Sequence, residues 1–262
     1  MSEPPILLRR DAHGIAHVTL NRPARGNAYN GEMLAMLTEG LETLAAEASL
    51  RALVIRGAGR HFQAGADLEW QARIATAPAV EAYAASMATT RAMRLLNEFP
   101  RPTFALVRGA CFGGGVGIVA CCDVALAVPE ASFGITEVRV GVAPSPISTH
   151  LFHALGLRQA RRYALTGERF DAAEALRIGL VHEVVAEPEI EARLDHILTE
   201  TLRSAPGAVA VAKRSLLAAN GATLDERAMM ALAHESWAQR ATEEAREGLA
   251  AFREKRGPGW AL

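Results

Sequence analysis

The sequence has few cysteines and no excess of either charge. Three cysteines are an odd number, and Cys121 and Cys122 are adjacent, which favours reduced thiols in a core over a disulfide framework. Lys and Arg total 28 against 29 Asp and Glu, so the net charge is −1. Because such a chain has no basic field to attract phosphate backbones, we expect no nucleic-acid partner.

Long apolar runs are also missing. The longest run is cut by Asp123, and the stretch from Ile6 to Leu8 is too short for a signal sequence. We therefore expect no membrane segment and a cytoplasmic location, which agrees with reduced cysteines. Hydrophobic residues nonetheless make up 50% of the 262 residues, enough for one large domain or a domain with a small appendage.

Strand and helix patterns alternate through the first part of the chain. A predicted hairpin over residues 6–20 is followed by a helix that Asn30 caps and by a short buried strand at residues 53–55. A long helix is predicted from Pro78 to Leu95, with further strands at residues 104–107 and 124–128. This alternation predicts an α/β fold.

Helices dominate from Ser148 onward. They are predicted at residues 150–155, 159–165, 171–178, 189–202, 208–219 and 224–252, the last with a break near Thr242. The change from alternation to helices alone gives the one predicted boundary. It divides the chain into a core of residues 1–200 and a helical region of residues 201–262.

The segment CFGGGVGIVACCD, residues 111–123, places four glycines at the predicted start of a helix. Glycine is a poor helix former, so these positions indicate close approach of a ligand or of another part of the chain to the backbone. A helix start offers unpaired N–H groups that suit a negatively charged oxygen. A ligand site is the favoured interpretation, and tight packing between elements is the alternative.

Two common phosphate sites do not fit these glycines. Gly115, Gly117 and Ala120 match the dinucleotide pattern G-x-G-x-x-A, but the helix predicted from Val116 reaches only to about Cys122, too short for that crossover. No Walker lysine follows either.

The upstream segment HFQAGADLEW, residues 61–70, supplies a second set of small residues after a predicted strand. One backbone N–H from each segment could converge on a single oxygen and form an oxyanion hole. The small residues Ala64, Gly65, Ala66 and 113–115 would then give clearance for a substrate.

Together these segments resemble the crotonase superfamily, also called the enoyl-CoA hydratase/isomerase family. Further similar stretches cover nearly the whole chain: LNRPARGNAYN at residues 20–30, SFGITEVRVGVAPS at 132–145, Thr166 to Glu168, Gly179 to Val181 and EGLAAFREKRGPGW at 247–260. The resemblance implies a crotonase-like spiral of ββα units with a C-terminal helical trimerisation region. It also implies a homotrimer or a homohexamer.

The resemblance implies that an acyl-CoA thioester oxygen lies between the N–H groups of Ala66 and Gly114. Coenzyme A is then part of the substrate, and no separate cofactor is expected. The implied substrate-binding residues are Ala64, Ala66, Asp67, Leu68, Glu69, Gly113, Gly114 and Lys255, the last as a phosphate contact from the end of the chain.

Hydratases of this family usually carry two catalytic glutamates, and here Glu137 matches one while Gly117 stands at the position of the other. A single carboxylate can activate water and deliver a proton in sequence, or move a proton during double-bond isomerisation. We therefore expect an enoyl-CoA hydratase. An enoyl-CoA isomerase using the same glutamate and a non-catalytic acyl-CoA-binding protein are the alternatives.

Similarity to bacterial hydratases of branched enoyl-CoAs, such as methylglutaconyl-CoA and isohexenylglutaconyl-CoA, points to a branched substrate. Arg139 could pair with the extra carboxylate of such a substrate. His150 and His153 have no carboxylate or cysteine partner in a recognisable metal pattern, so no metal site is expected.

Overall fold

A computed structural model describes residues 3–219, 221 and 225–261. The strands are β1 (Ile6–Arg10), β2 (Ile15–Leu20), β3 (Ala52–Gly57), β4 (Thr103–Val107), β5 (Ala110–Phe112), β6 (Val124–Ala127), β7 (Ser132–Gly134), β8 (Arg169–Asp171) and β9 (Glu183–Val184). The helices are α1 (Gly31–Ala45), α2 (Leu68–Ala75), α3 (Ala79–Asn97), α4 (Gly114–Cys121), α5 (Ser148–Thr166), α6 (Ala172–Arg177), α7 (Ile190–Leu202), α8 (Pro206–Ala219), α9 (Glu226–Arg240) and α10 (Glu243–Glu254).

Two sheets form the strand framework. The larger has the order β1-β2-β3-β4-β6-β9, in which the β1–β2 hairpin is antiparallel and the remaining pairs are parallel. The smaller has the order β5-β7-β8. Strand β4 is buried along its whole length, as expected for the centre of a parallel sheet covered on both faces. The α/β prediction is confirmed.

Helix α1 shows how the sequence pattern produces the packing. The side chain of Asn30 accepts a hydrogen bond from the Met33 amide and caps the helix. The apolar residues that recur at helical spacing all face the core: Met33, Leu34, Leu37, Leu41 and Leu44.

The parallel strands bring both small-residue segments to one edge of the sheet. The chain leaves β3 at Gly57 and runs through residues 58–67 to α2, whereas it leaves β4 at Val107 and passes through β5 to α4. A parallel bridge between Gln63 and Cys111 joins the two connections. Since parallel strands present their carboxyl ends at the same edge, this edge is the expected place for a ligand site.

Several predicted bounds need correction. The two helices predicted over residues 150–165 are the single element α5, bent at Gly156, whose φ of 71° interrupts the helical backbone. Helix α4 begins at Gly114 rather than at Val116. Strands β5, β8 and β9 have three residues or fewer, too few to show a period in the sequence.

The predicted boundary at residue 200 falls inside α7. Its buried residues Leu194, Leu198 and Leu202 belong to the main core, so this helix packs with the preceding domain. Among the described residues of α8, α9 and α10, the buried one is Ala251. The predicted break is present, because Thr242 caps α10, whereas the predicted helix start at Leu224 lies outside the described residues.

The cysteines are free thiols. Cys111 and Cys121 are buried, and burial raises the pKa of both thiols well above the ordinary value. None of the helices in the described part of the chain is long and apolar enough to cross a membrane.

Candidate active site

Tyr29 fixes the orientation of the Ala66 backbone. The Tyr29 amide donates to the Gly65 carbonyl at 2.9 Å, and the Asp67 amide donates to the Tyr29 carbonyl at 2.8 Å. In this parallel bridge the residues on either side of Ala66 face Tyr29, so the N–H of Ala66 points the other way. Within residues 3–219 and the later described segments, no backbone carbonyl accepts from it.

Gly113 and Gly114 form the second half of the same structure. Gly113 has a φ of 53°, which a residue with a side chain rarely adopts, and its amide donates to the Gly134 carbonyl at 2.8 Å. Gly114 then starts α4, so its N–H belongs to the helix turn that has no intrahelical acceptor. Each segment therefore has one amide without a backbone acceptor among the described residues, which is what an oxyanion hole would require.

The glycines of this segment are required for different structural reasons. A Cβ on Gly115 would lie 2.7 Å from the Gln63 carbonyl oxygen, and a Cβ on Gly117 would lie 2.3 Å from Cγ2 of Ile147. These two glycines are therefore required by packing within the chain. The sequence interpretation that favoured a ligand for the whole run holds for neither of them.

Glu137 lies beside the first two glycines. It begins a 3₁₀ helix, Glu137–Val140, and a Cβ on Gly113 would lie 2.9 Å from its Oε1. The residue is half-buried, and its buried Oε2 has no hydrogen-bond partner among the described residues. Burial raises the pKa of Glu137 above its ordinary value, and a hydrogen bond from its own amide offsets only part of that effect.

A cavity of about 400 Å³ joins Gly114 to Glu137. Its walls come from Tyr29, α2, α3 and the loop before α5. The lining residues are Tyr29, Trp70, Gln71, Ile74, Ala85, Ser86, Thr89, Thr90, Gly114, Glu137 and residues 142–147. The walls combine apolar side chains with several polar ones, so the cavity can hold both an apolar group and a polar ligand atom.

Ile147 packs against Gly117. It is buried, and a Cβ added at position 117 would already collide with its side chain. Among the described lining residues of the cavity, the carboxylate is that of Glu137.

Comparison with known proteins decides the family. Residues 10–261 match the family described as "Enoyl-CoA hydratase/isomerase". The chain belongs to this family. A putative enoyl-CoA hydratase from Thermus thermophilus is 34% identical over 244 residues, which cover 93% of this chain and 96% of that protein. The 2,3-dehydroadipyl-CoA hydratase of Escherichia coli is 33% identical, with 92% of each chain covered.

Solved structures of similar proteins show the same fold. An enoyl-CoA hydratase from Shewanella pealeana has a TM-score of 0.94 at 33% identity, with 98% of this chain and 96% of that chain covered. Pseudomonas aeruginosa AtuE has a TM-score of 0.94 at 37% identity, with 98% and 100% covered. The protein is thus an α/β chain of the crotonase superfamily with a C-terminal helical region, and its relatives are named as enzymes.

Asp67 has a local structural role in this member of the enoyl-CoA hydratase/isomerase family. Its side chain accepts from the amides of Glu69 and Trp70 and caps α2, and it pairs with Arg22 at 2.9 Å. Burial alone would raise the pKa of Asp67, but these hydrogen bonds and the Arg22 charge lower it below the ordinary value. The carboxylate therefore holds the Ala66 loop against α2.

The other residues assigned to the acyl-CoA path lie at the rim of the site. Ala64, Leu68 and Glu69 are exposed, and Glu69 pairs with Arg25 at 3.1 Å. A second cavity, of about 470 Å³, lies next to the first and shares Trp70 with it; its lining includes Arg22, Asn30, Asp67, Glu69 and Arg73.

Two predicted contacts lie outside these cavities. Arg139 packs against Gly167, whose Cβ would lie 3.0 Å from Nε of Arg139, and it lines neither cavity. Lys255 is exposed at the C-terminal end of α10. The chain beyond it is tied to the amino end of β3, where Arg51 donates to the Trp260 carbonyl at 3.2 Å. Within the single chain Lys255 is not among the lining residues of either cavity.

Sequence reasoning missed two residues of the site. Tyr29 and Ile147 line the cavity, although Tyr29 falls within a segment that carried the resemblance. Their part in the site follows from packing between distant segments, for which a single sequence has no signal. Within the described ranges no cluster of three His, Cys, Asp or Glu side chains could hold a metal ion.

Proposed function

We propose that the protein is an enoyl-CoA hydratase that adds water across the 2,3 double bond of an enoyl-CoA. The observation that carries the proposal is the Glu137 carboxylate, half-buried with an unpartnered Oε2, in one cavity with the free amide of Gly114. The N–H groups of Ala66 and Gly114 are the proposed oxyanion hole, and Glu137 is the proposed acid and base.

In the proposed reaction Glu137 takes a proton from water as the water oxygen bonds to C3. The electron pair of the double bond moves toward C2 and C1, and the thioester oxygen becomes the enolate oxygen between the two amides. Fixed backbone donors stabilise charge that appears only at this stage, and losing one donor typically costs ~3 kcal/mol of barrier. Glu137 then returns the proton to C2, and the product is a 3-hydroxyacyl-CoA.

The raised pKa of Glu137 supports both of its proposed roles. An acid or base transfers protons best when its pKa lies near the working pH. Burial beside apolar walls moves this carboxyl in that direction.

The lining favours a neutral acyl group over the carboxylated one suggested by the resemblance to methylglutaconyl-CoA hydratases. The cavity that contains Glu137 has no Arg, Lys or His among its described lining residues, and Arg139 lies elsewhere. A substrate carboxylate would enter this cavity beside Glu137 without a cation to pair with it. The adjoining cavity has Arg22 and Arg73 beside the carboxylates of Glu32, Asp67 and Glu69, and Arg22 is already paired with Asp67, so its described lining has no excess of positive charge.

Isomerisation of a 3-enoyl-CoA is the second candidate. The described lining of the cavity has the carboxylate of Glu137 alone, and a single base suffices to remove a proton from one carbon and return it to another. A protein that binds acyl-CoA without turnover is the third.

Assembly into a homotrimer or a homohexamer, in a cytoplasmic setting, completes the proposal. The C-terminal helices expose large apolar side chains in the single chain, among them Leu216, Met230, Trp237 and Phe252. Such a surface is typical of subunit contacts. In such an assembly, Lys255 of one protomer is proposed to contact the phosphate of a substrate bound to a neighbouring protomer.

The test is turnover of crotonyl-CoA, 3-methylglutaconyl-CoA and a 3-enoyl-CoA by the wild type and by Glu137→Gln. Absorbance of the conjugated thioester reports the reaction, and the product is identified by mass. We expect hydration of crotonyl-CoA and a loss of at least ~100-fold in the variant, the usual contribution of a proton-transfer group. Glu130→Gln, at an exposed carboxylate just before β7, is the matched control and should match the wild type.

The outcomes separate the candidates. Formation of conjugated thioester from the 3-enoyl substrate alone would replace the hydratase by the isomerase. Tight acyl-CoA binding without turnover, unchanged in Glu137→Gln, would replace both by the binding protein. Faster hydration of 3-methylglutaconyl-CoA than of crotonyl-CoA would contradict the preference for a neutral acyl group.

A further inference from the structure

Tyr29 contacts both halves of the proposed oxyanion hole. Its backbone brackets Ala66 through the two hydrogen bonds to Gly65 and Asp67. Its ring lies on Gly114, where a Cβ would be only 2.6 Å from Cε1 of the tyrosine. Trp70 holds the ring from another side, edge to face, with ring centroids 5.7 Å apart.

The phenol end of Tyr29 belongs to the same cavity as Glu137. Both residues line it, and Thr89 is the polar neighbour of the Tyr29 hydroxyl. Burial, and after it the negative charge of Glu137, raises the pKa of Tyr29 to about 12. The hydroxyl is therefore protonated at neutral pH and available as a hydrogen-bond donor.

Three hydroxyl groups of α3, which forms another wall of the cavity, already donate hydrogen bonds within the helix. Ser86, Thr89 and Thr90 each donate to a carbonyl one turn back in α3, at 3.1, 3.2 and 3.0 Å. They can accept hydrogen bonds from a ligand but do not have a spare proton to offer. The hydroxyls of Tyr29 and Ser145 also line the cavity and donate to no described residue, and of the two Tyr29 is the one whose ring contacts Gly114.

Resting on the proposed hydration, we propose that the Tyr29 hydroxyl is the second protic group of the reaction and orients the attacking water. It donates a hydrogen bond to one lone pair of the water oxygen, while the other lone pair bonds to C3. Glu137 removes the water proton, and the tyrosine keeps its own proton throughout. Tyr29 thus supplies the second polar contact to water in a cavity whose described lining has the carboxylate of Glu137 alone.

Tyr29→Phe tests this role because it removes the hydroxyl and keeps the ring on Gly114. We expect kcat for crotonyl-CoA hydration to fall roughly tenfold or more, the effect of one hydrogen bond made in the transition state, with KM changed less than about twofold. Tyr83→Phe, on the exposed face of α3, is the matched control and should match the wild type.

A second readout separates the hydroxyl from the ring. Butyryl-CoA is a saturated thioester with no oxygen on C3, so its binding tests the oxyanion hole without the water position. Its Kd should be unchanged in Tyr29→Phe and should rise in Tyr29→Ala, where the ring no longer covers Gly114. Equal losses of kcat and of butyryl-CoA binding in Tyr29→Phe would overturn the proposal, because the hydroxyl would then act by holding the oxyanion hole.

The remaining outcomes distinguish this proposal from the proposed function. Wild-type hydration with an unchanged kcat in Tyr29→Phe would overturn the role of Tyr29 and leave the hydratase standing. A wild type that hydrates no enoyl-CoA would contradict both.

Discussion

Glu137 combines a catalytic position with a cost to the folded state. A buried carboxylate oxygen without a partner is less stable than the same oxygen in water, and the pKa of Glu137 is raised for that reason. The folded state therefore binds a proton at this group more tightly than the unfolded state. The stability that this protonation contributes is fully present below the unfolded pKa, near 4.5, and is lost as pH rises through the folded pKa.

The first prediction at the residue scale follows from the direction of this pKa shift. Glu137→Gln carries no charge, so it should unfold at a higher temperature than the wild type at pH 8, by roughly 2 °C for a gain of about 1 kcal/mol. The difference should shrink as pH is lowered toward 4, where the wild-type carboxyl is protonated. Calorimetry across this pH range checks the prediction, with Glu130→Gln as the control. A constant difference at all pH values would contradict it.

Helix α2 is the element that links the acyl cavity to the rest of the chain. It begins directly after the Ala66 loop, contributes Trp70 to the cavity and is capped by Asp67. Its own side chains are not buried, so its position depends strongly on the cap and on the pair with Arg22. Loss of either contact should loosen the Ala66 amide.

The element-scale prediction concerns this cap. Asp67→Ala should lower stability by ~1–2 kcal/mol through loss of the cap. It should also weaken butyryl-CoA binding, because the Ala66 loop loses its tie to Arg22.

Asp225→Ala removes the equivalent cap of α9, far along the chain, and provides the control. It should affect stability to a similar degree and leave ligand binding unchanged in the assembled protein. Equal effects of both variants on binding would show that Asp67 has no special relation to the site.

At the scale of the whole molecule, the residues up to the end of α7 form a buried core. Among the described residues of α8, α9 and α10, the side chains are mostly exposed. Buried apolar residues run continuously from β1 to the end of α7, whereas Phe252 on α10 is 84% exposed and Trp237 on α9 is 63% exposed. Apolar surface of this size on helices is stabilised when another copy of the chain covers it.

The corresponding prediction is that Phe252→Asp shifts the protein from the proposed trimer toward monomers, since a charge would be buried in the interface. Light scattering coupled to size-exclusion chromatography measures the mass. Val80→Asp, at an apolar side chain on α3 that is 83% exposed, is the control and should leave the mass unchanged. A monomeric wild type would contradict the proposed assembly.

Local patterns in the sequence determined much of the fold. The apolar spacing of α1, its Asn30 cap and the Thr242 cap of α10 act within a few residues, so they could be identified without the tertiary structure. The family resemblance carried by the small-residue segments and by SFGITEVRVG predicted Ala66, Gly114 and Glu137 as site residues, and these stay predictions. Short strands such as β9 had too few residues to leave a periodic pattern.

Contacts between distant segments were decided by the tertiary structure. Ile147 fills the space at Gly117, Tyr29 lies across Gly114, and Arg139 packs on Gly167 rather than in the cavity. In each case the two residues are far apart in the sequence and meet only because several elements converge at one edge of the parallel sheet. The sequence by itself thus determined which groups could do chemistry, and packing decided which of them share a cavity.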